Sequence, residues 1–350
     1  KKTLDVRMLT IVNKRKMVMN RTETLKKIQI EVEEFVTYAD NEQLIANHDC
    51  LTVLKKIPNN SISLILTDPP YHATQKKNIY GDTQFKKDDE YINWMEEISI
   101  EWRRILKPNG SLYCFCDSSM SARLEVMLSK RFNILSHIVW TKPNQPGFDG
   151  WKGKMNKESL RQWYGHSERI IFCEPAKDGN LHRSSFGEFL KKRRKEAGLS
   201  GNKLTELTGA YGKVNHGGAV SNWETGRNIP SREQYKKIKE AILNTGKVSF
   251  MPEYEDAIRP FIISKNVEYT DVWNFESVRP YKGKHPAEKP QDMLSHIIIA
   301  SSYEGDIVLD CFAGSGSTAL SAKRNKRKCI SIDIDTHWTD YIEKRLNELF

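Results

Sequence analysis

Asp306-Ile307-Val308-Leu309-Asp310-Cys311-Phe312-Ala313-Gly314-Ser315-Gly316-Ser317-Thr318 reads as a short apolar strand running into a glycine-rich turn, and Ala319-Leu320-Ser321-Ala322 continues it as a helix. Strand, glycine turn and helix in that order allow a nucleotide-like ligand to approach backbone N–H groups closely at a helix N-terminus. About 15 residues beyond the turn, Ile330-Ser331-Ile332-Asp333 ends a second strand, where a carboxylate can accept hydrogen bonds from ribose hydroxyls. The turn is not GxGxxG and has no GKS or GKT, which argues against a dinucleotide or a nucleoside triphosphate. A glycine-rich turn alone is often no more than a tight loop. Paired with Asp333 it marks a cofactor site.

The same alternation extends in both directions. Apolar runs rich in Ile, Val and Leu predict strands at 44–48, 61–67, 111–116, 134–140, 168–173, 306–310 and 328–333. Tyr91, Trp94, Met95, Ile98, Trp102 and Ile105 recur at helical spacing before Pro108 and Gly110, and residues 22–36 read as an amphipathic helix. Seven strands alternating with helices predict an α/β, Rossmann-like, doubly wound sheet. Residues 178–267 break the pattern. They are helical and basic, without comparable apolar strands, and read as an inserted small domain between 41–177 and 268–350, with 1–40 as a basic N-terminal arm and helix.

Composition fits this reading. The 350 residues are 38% hydrophobic and 29% charged, and no apolar run reaches the ~18 residues of a membrane span. The N-terminus is basic without an apolar signal core, so a cytoplasmic protein is expected. Cys50, Cys114, Cys116, Cys173, Cys311 and Cys329 form no CxxC pair and read as buried, reduced thiols. The net charge of +10 is uneven: residues 177–250 contribute +8, residues 1–27 contribute +7, and the remainder is −5. Positive charge concentrated outside the presumed core suits a phosphate backbone. For residues 1–27 a solvated, frayed tail explains the charge equally well.

The strand Ser61-Ile62-Ser63-Leu64-Ile65-Leu66-Thr67 leads into Asp68-Pro69-Pro70-Tyr71 at its carboxyl end, the edge where open α/β sheets bind ligands. Two prolines fix the backbone and remove N–H donors, leaving carbonyls as acceptors. The Asp68 carboxylate and a proline-region carbonyl can together hold both hydrogens of an NH₂ group, and Tyr71 offers a flat face for a base. Such chemistry needs positioning rather than a metal or a covalent nucleophile. Read structurally, the same residues are only a rigid turn with an adjacent tyrosine. The polar stretch 72–89, with Gly81, predicts a mobile loop able to close over the ligand.

Taken together, these segments resemble the β group of amino-methylating DNA methyltransferases, in which the catalytic motif precedes the cofactor motif in a circularly permuted order. The resemblance covers roughly residues 40–175 and 268–350. It implies S-adenosylmethionine as cofactor, S-adenosylhomocysteine as its product, and a catalytic turn of Asp68, Pro69, Pro70 and Tyr71. It implies that Asp49 contacts the adenine of the cofactor, that Phe312, Gly314 and Gly316 of FxGxG wrap its methionine end with Asp310 and Ser317 beside them, and that Asp333 meets the ribose. His285-Pro286-Ala287-Glu288-Lys289-Pro290 is similar to the HPxxKP segment, placing His285 and Lys289 at the cofactor site. Trp140-Thr141-Lys142-Pro143-Asn144 resembles a segment near the target base, so Lys142 and Asn144 become candidate DNA contacts. Ser331 and Asp333 stand where Gly and Glu are commoner. In the family an Asp-first turn goes with adenine N6 and a Ser-first turn with cytosine N4, so adenine in duplex DNA is the implied substrate, by base flipping, and cytosine N4 the alternative. An RNA or protein-glutamine methyltransferase and a DNA-binding regulator with an inactive core remain as competing classes. A homodimer and a cognate restriction endonuclease are further partners the resemblance admits.

The insert has its own likeness. Phe186 to Ala197, Lys203 to Leu207, Ala219-Val220-Ser221-Asn222-Trp223-Glu224-Thr225-Gly226 and Glu233 to Leu243 read as four helices and are similar to a Cro-type helix-turn-helix with VSNWExG on the recognition helix. That places Asn215, His216, Ser221 and Asn222 near base edges and makes Lys192 and Arg193 phosphate contacts. A structural wedge or a dimer contact is the plainer alternative.

Overall fold

The computed structural model describes residues 21–72, 83–143, 156–163, 165–175, 184–211, 218–263 and 269–349. The basic segment 1–20, most of the 72–89 loop, Asn144, Asn215 and His216 lie outside them.

In chain order the elements are helix α1 (Arg21–Glu31), strands β1 (Val36–Ala39) and β2 (Gln43–Asn47), helix α2 (Cys50–Lys56), strand β3 (Ile62–Thr67), helix α3 (Asp88–Ile105), strand β4 (Leu106–Cys116), helix α4 (Ser121–Ser129), and strands β5 (Phe132–Trp140) and β6 (Glu168–Pro175). The helices α5 (Ser185–Glu196), α6 (Gly201–Thr208), α7 (Ala219–Glu224), α8 (Arg232–Leu243) and α9 (Tyr254–Ala257) follow. Strand β7 (Val272–Trp273), helix α10 (Gln291–Ser301), strand β8 (Ile307–Asp310), helix α11 (Ser317–Arg324), strand β9 (Lys328–Asp333) and helix α12 (Thr336–Leu349) complete the chain.

The strands form one sheet in the order β1-β2-β9-β8-β3-β4-β6-β5-β7. The run β2, β9, β8, β3, β4 is parallel, and β6 is antiparallel to both β4 and β5. Alternate residues feed two layers, as a sheet covered on both faces requires. Ile62, Ile65, Leu309 and Ile330 pack with Leu25, Val53, Trp102 and Leu124 of α1–α4. Leu64, Leu66, Val308 and Cys329 pack with Ile297, Leu320 and Ile342 of α10–α12. Helix α3 shows why such elements form here: Tyr91, Met95, Ile98, Trp102 and Ile105 make one buried stripe, Asp88, Asp89 and Glu90 face the positive end of the helix dipole, and Arg103 and Arg104 its negative end. All six cysteines are buried and free. Among the described residues no helix is long and apolar enough to cross a membrane.

The seven expected strands are present, but among the described residues the sheet has nine. Strand β1 pairs antiparallel with β2 at one edge and β7 pairs parallel with β5 at the other. Helix α1 ends at Glu31, short of the expected Val36, because that valine already opens β1. Strand β4 begins at Leu106, ahead of Pro108 and Gly110. Its register against β3 jumps from Ile62↔Leu106 to Leu64↔Ser111, so the proline and glycine bulge out of the ladder instead of preceding it.

Helices α5–α8 enclose a core of their own, with Phe186, Leu190, Leu204, Val220, Trp223 and Ile238 buried in it. Ser184, Ser200 and Ser231 cap α5, α6 and α8 through their hydroxyls. Arg194 ties α5 to α7 through both oxygens of Glu224 and to the next turn through the Leu199 carbonyl at 2.8 Å.

Candidate active site

The sheet order makes the site. Strands β8 and β3 are adjacent and parallel although Asp310 and Thr67 lie 243 residues apart, and Thr67 Oγ1 donates to Asp310 Oδ1 at 3.1 Å across their carboxyl ends. The glycine turn after β8 and the Asp68 turn after β3 therefore open into the same cavity, of about 440 Å³. Its lining runs from Asp49, Asp333 and Gly314 at one end to Asp68, Tyr71 and Glu168 at the other.

At the glycine end, Gly314 and Gly316 adopt left-handed backbone, with φ of 49° and 76°. A Cβ on Gly314 would sit 3.0 Å from the His285 ring, and one on Gly316 2.7 Å from Ile342 Cγ1. Asp333 holds this turn: Oδ2 accepts the Gly314 N–H at 2.7 Å and Oδ1 accepts the Asp335 N–H at 2.9 Å. Burial raises its carboxyl above the usual range. Asp49 caps α2, accepting the Thr52 N–H at 3.0 Å. Phe312 packs on Trp94 with ring centroids 5.6 Å apart, and Ser317 is buried with its hydroxyl 3.2 Å from that of Ser315. His285 stands edge-on to Trp338 at 4.5 Å and accepts the Ala287 N–H on Nδ1 at 3.2 Å. Burial, helped by Lys289 and Lys284, lowers its pKa to about 4, so the ring is neutral at pH 7.

At the other end, Asp68 Oδ2 is bonded to the Lys289 ammonium, whereas Oδ1 is buried with no hydrogen-bond partner. Lys289 also lies 3.5 Å from Glu168 Oε2, with its charge 5.4 Å from the Tyr71 ring centroid and 5.2 Å from that of Phe115. Tyr71 donates its hydroxyl to Glu168 Oε2 at 3.0 Å. The Lys142 ammonium bonds Glu168 Oε1 and lies 5.0 Å from the Trp140 ring centroid. Burial pushes the Asp68 carboxyl up; the Lys289 ammonium pulls the other way and Glu168 adds to the rise. Burial also opposes ionisation of Glu168, but Lys289 and Lys142 hold it well below the carboxylate range. Lys289 itself is kept charged, against desolvation, by the two carboxylates.

Asp49, Asp68, Pro69, Pro70, Tyr71, Lys142, His285, Lys289, Asp310, Phe312, Gly314, Ser317 and Asp333 all line this cavity, and Gly316 stands behind the turn against α12. Sequence reasoning missed Glu168. An acidic residue opening an apolar strand is ordinary at a solvent edge, and only the three-dimensional pairing with Tyr71, Lys142 and Lys289 distinguishes it. Lys192, Arg193, Ser221 and Asn222 are not among the lining residues and belong to the α5–α8 bundle. Lys192 and Ser221 are exposed, Asn222 is half-buried, and Arg193 bonds Glu196 at 2.8 Å.

The N6/N4 DNA methylase family matches residues 62–344, most of the chain and both ends of the cavity. The chain belongs to this DNA methylase family. The methylase is 27% identical over 313 residues to the DNA adenine methyltransferase YhdJ of Escherichia coli strain K12, covering 89% of this chain and 84% of that protein. It is 26% identical over 325 residues to the type II methyltransferase M2.DpnII of Streptococcus pneumoniae, covering 88% and 91%. Among solved structures, its fold is similar to that of the cytosine-N4-specific PvuII DNA methyltransferase, with a TM-score of 0.52, 17% identity, and 89% and 88% of the two chains covered.

Proposed function

We propose that the methylase transfers a methyl group from S-adenosylmethionine to the N6 amino group of an adenine flipped out of duplex DNA, at a specific sequence. The observation that carries this reading is the buried, unpartnered Oδ1 of Asp68, beside the Tyr71 ring and in the same cavity as the glycine turn. A buried acceptor without a donor costs on the order of 1–3 kcal/mol, which a ligand N–H recovers. The residues fit the methyl donor: the turn at Gly314 leaves no room for a side chain, the cavity is large enough for a nucleoside with an amino-acid tail, and the Asp49 and Asp333 end is acidic.

S-adenosylmethionine supplies an electrophilic methyl carbon on a sulfonium. Asp68 Oδ1 accepts one amino hydrogen, and a carbonyl of the Pro69–Pro70 turn takes the other. Lys289 on Oδ2 stops the carboxylate from rotating away. The Tyr71 face stacks the base. So held, the amino lone pair would face the methyl carbon of a bound donor, and Asp68 or water would take the proton that the amino group gives up. Asp49, Asp333, Phe312 and His285 would hold the donor, with Asp310 and Ser317 supporting the turn.

Adenine is favoured by the Asp-first turn and by the likeness to an adenine methyltransferase of E. coli. The same grip fits cytosine N4, which is the second reading. Incubation of unmethylated DNA with labelled donor, followed by nucleoside digestion, tests both: N6-methyladenine is expected, N4-methylcytosine selects the alternative, and no DNA product with full donor binding rejects the proposal.

We place target recognition in residues 178–267, inserted between the catalytic half (41–177) and the cofactor half (268–350), with 1–40 as an accessory basic arm. In this reading the α5–α8 bundle is a Cro-like helix-turn-helix, α7 is the recognition helix carrying Ser221 and Asn222, and Lys192 and Arg193 meet phosphates. The net charge of +8 over residues 177–250 supports it. A homodimer and a cognate endonuclease belong to the same proposal.

A further inference from the structure

We propose that Glu168 is a positioning residue for methyl transfer, fixing the Tyr71 ring and the Asp68–Lys289 pair by direct contact and balancing the charge that the two lysines bring to the site. This rests on the methyltransferase reading above and assigns a role to a residue outside both of its motifs.

Glu168 opens β6 opposite Trp140 of β5, so its main chain is set by the sheet rather than by a loop. Its side chain is largely buried, and its two oxygens serve different partners. Oε2 takes the Tyr71 hydroxyl at 3.0 Å and faces Lys289 at 3.5 Å, whereas Oε1 takes Lys142. Lys142 reaches it from a left-handed backbone, φ 49°, which an L side chain adopts only at a cost. The ion pair with Glu168 holds the Lys142 side chain in that position. Tyr71 can therefore neither swing nor slide without breaking a bond to a carboxylate that is itself clamped. Lys289 is shared between two carboxylates instead of collapsing onto Asp68 and drawing both of its oxygens away from the cavity.

Charge gives a second reason. Asp68 and Glu168 against Lys142 and Lys289 sum to zero. During transfer the amino nitrogen becomes positive. Without Glu168 the cluster would carry +1 beside that nitrogen, in a site where burial weakens screening. Glu168 is thus worth most when the nitrogen is cationic, which is the condition for accelerating the chemical step.

The other titratable groups acting on Asp68 are Lys289, Tyr71, Asp310, Cys114 and Cys116. Burial keeps Tyr71 and both thiols protonated. Removing the like charge of Glu168 therefore lowers the Asp68 pKa, and removing the Lys142 ammonium raises it. The full-length protein is assayed with unmethylated λ DNA and tritiated S-adenosylmethionine from pH 5 to 9, with donor affinity measured separately by calorimetry. Glu168→Gln is expected to lower kcat by about 10- to 100-fold with donor Kd within about twofold of wild type, and to shift the acid limb of kcat to lower pH. Glu168→Asp should restore part of the rate. Lys142→Met should shift the same limb to higher pH, an opposition that general loosening of the fold does not produce. A Glu168→Gln enzyme with wild-type kcat, or two variants whose acid limbs stay in place, overturns the inference while the wild-type enzyme still methylates DNA. A wild-type protein that binds the donor and methylates no DNA overturns the parent reading and this inference with it.

Discussion

Asp68 spends one oxygen on Lys289 and keeps the other buried and open. The open oxygen is the one that a target amino group would meet, so Asp68→Ala is expected to lower kcat by about 10²- to 10³-fold, the range for losing one pre-aimed polar group at a reacting atom. Donor affinity measured by calorimetry should stay near wild type, because Asp68 is placed at the amino end of the cavity. Asp310, one strand over, gives a stability prediction. Burial raises its carboxyl to about 6, with Asp68 contributing and bonds from Thr318, Phe312 and Thr67 opposing. Folding therefore favours the protonated form. That contribution is fully present below the unfolded pKa near 3.8 and is lost as pH rises through about 6. It amounts to roughly 3 kcal/mol. Asp310→Asn lacks this dependence. The difference in unfolding free energy between wild type and variant should change by about that amount between pH 4 and pH 7, with the variant gaining on wild type as pH rises.

At the scale of elements, the sequence was legible where burial writes a pattern. Runs such as Ile62–Thr67 and Ile307–Asp310 are buried at every position, and each stood out as an apolar strand. Strand β7 has only two residues and cannot show a period, and β1 is half-exposed, so both escaped. The Asp68 turn and the glycine turn were legible because proline and glycine restrict the backbone in ways that are visible locally. Glu168 and the left-handed Lys142 were not, since their meaning lies in contacts across 26 residues and between strands. Asp333 was legible as an acidic strand end, but its bonds to the Gly314 and Asp335 N–H groups show a second task, bracing the turn. The α5–α8 bundle offers a test at this scale. Trp223 of α7 is almost fully buried in the bundle's own core. Trp223→Ala should destabilise that unit by about 3–5 kcal/mol. If the bundle reads DNA, methylation should then lose its sequence preference, mapped on λ DNA, while calorimetric donor affinity is unchanged. Retained preference in a variant with a melted bundle would remove the bundle from recognition.

At the scale of the whole molecule, chain order and spatial order disagree, and the disagreement is what builds the site. The Asp68 turn precedes the glycine turn by more than 240 residues, yet β3 and β8 are neighbours with parallel carboxyl ends. Between them in sequence, β4, β5 and β6 extend the same sheet beyond β3, and the chain leaves it for the basic bundle only after β6 and rejoins it at β7. Charge follows the same division. Outside residues 1–27 and 177–250 the chain sums to −5, so the core repels a phosphate backbone overall and attraction must come from the basic segments. Lys191, Lys192 and Lys195 of α5 are exposed. If they meet phosphates, replacing all three with Gln should flatten the plot of log affinity against log salt by about 0.9 for each phosphate no longer neutralised, so by up to roughly 3 in slope. Because the substitution acts on counterion release, it should weaken binding to cognate and unrelated duplexes alike and leave the base preference and donor Kd where they were. Fluorescence anisotropy over a salt series measures the slope. An unchanged slope would move the phosphate-binding role off α5, leaving the N-terminal basic segment as the place to look for it.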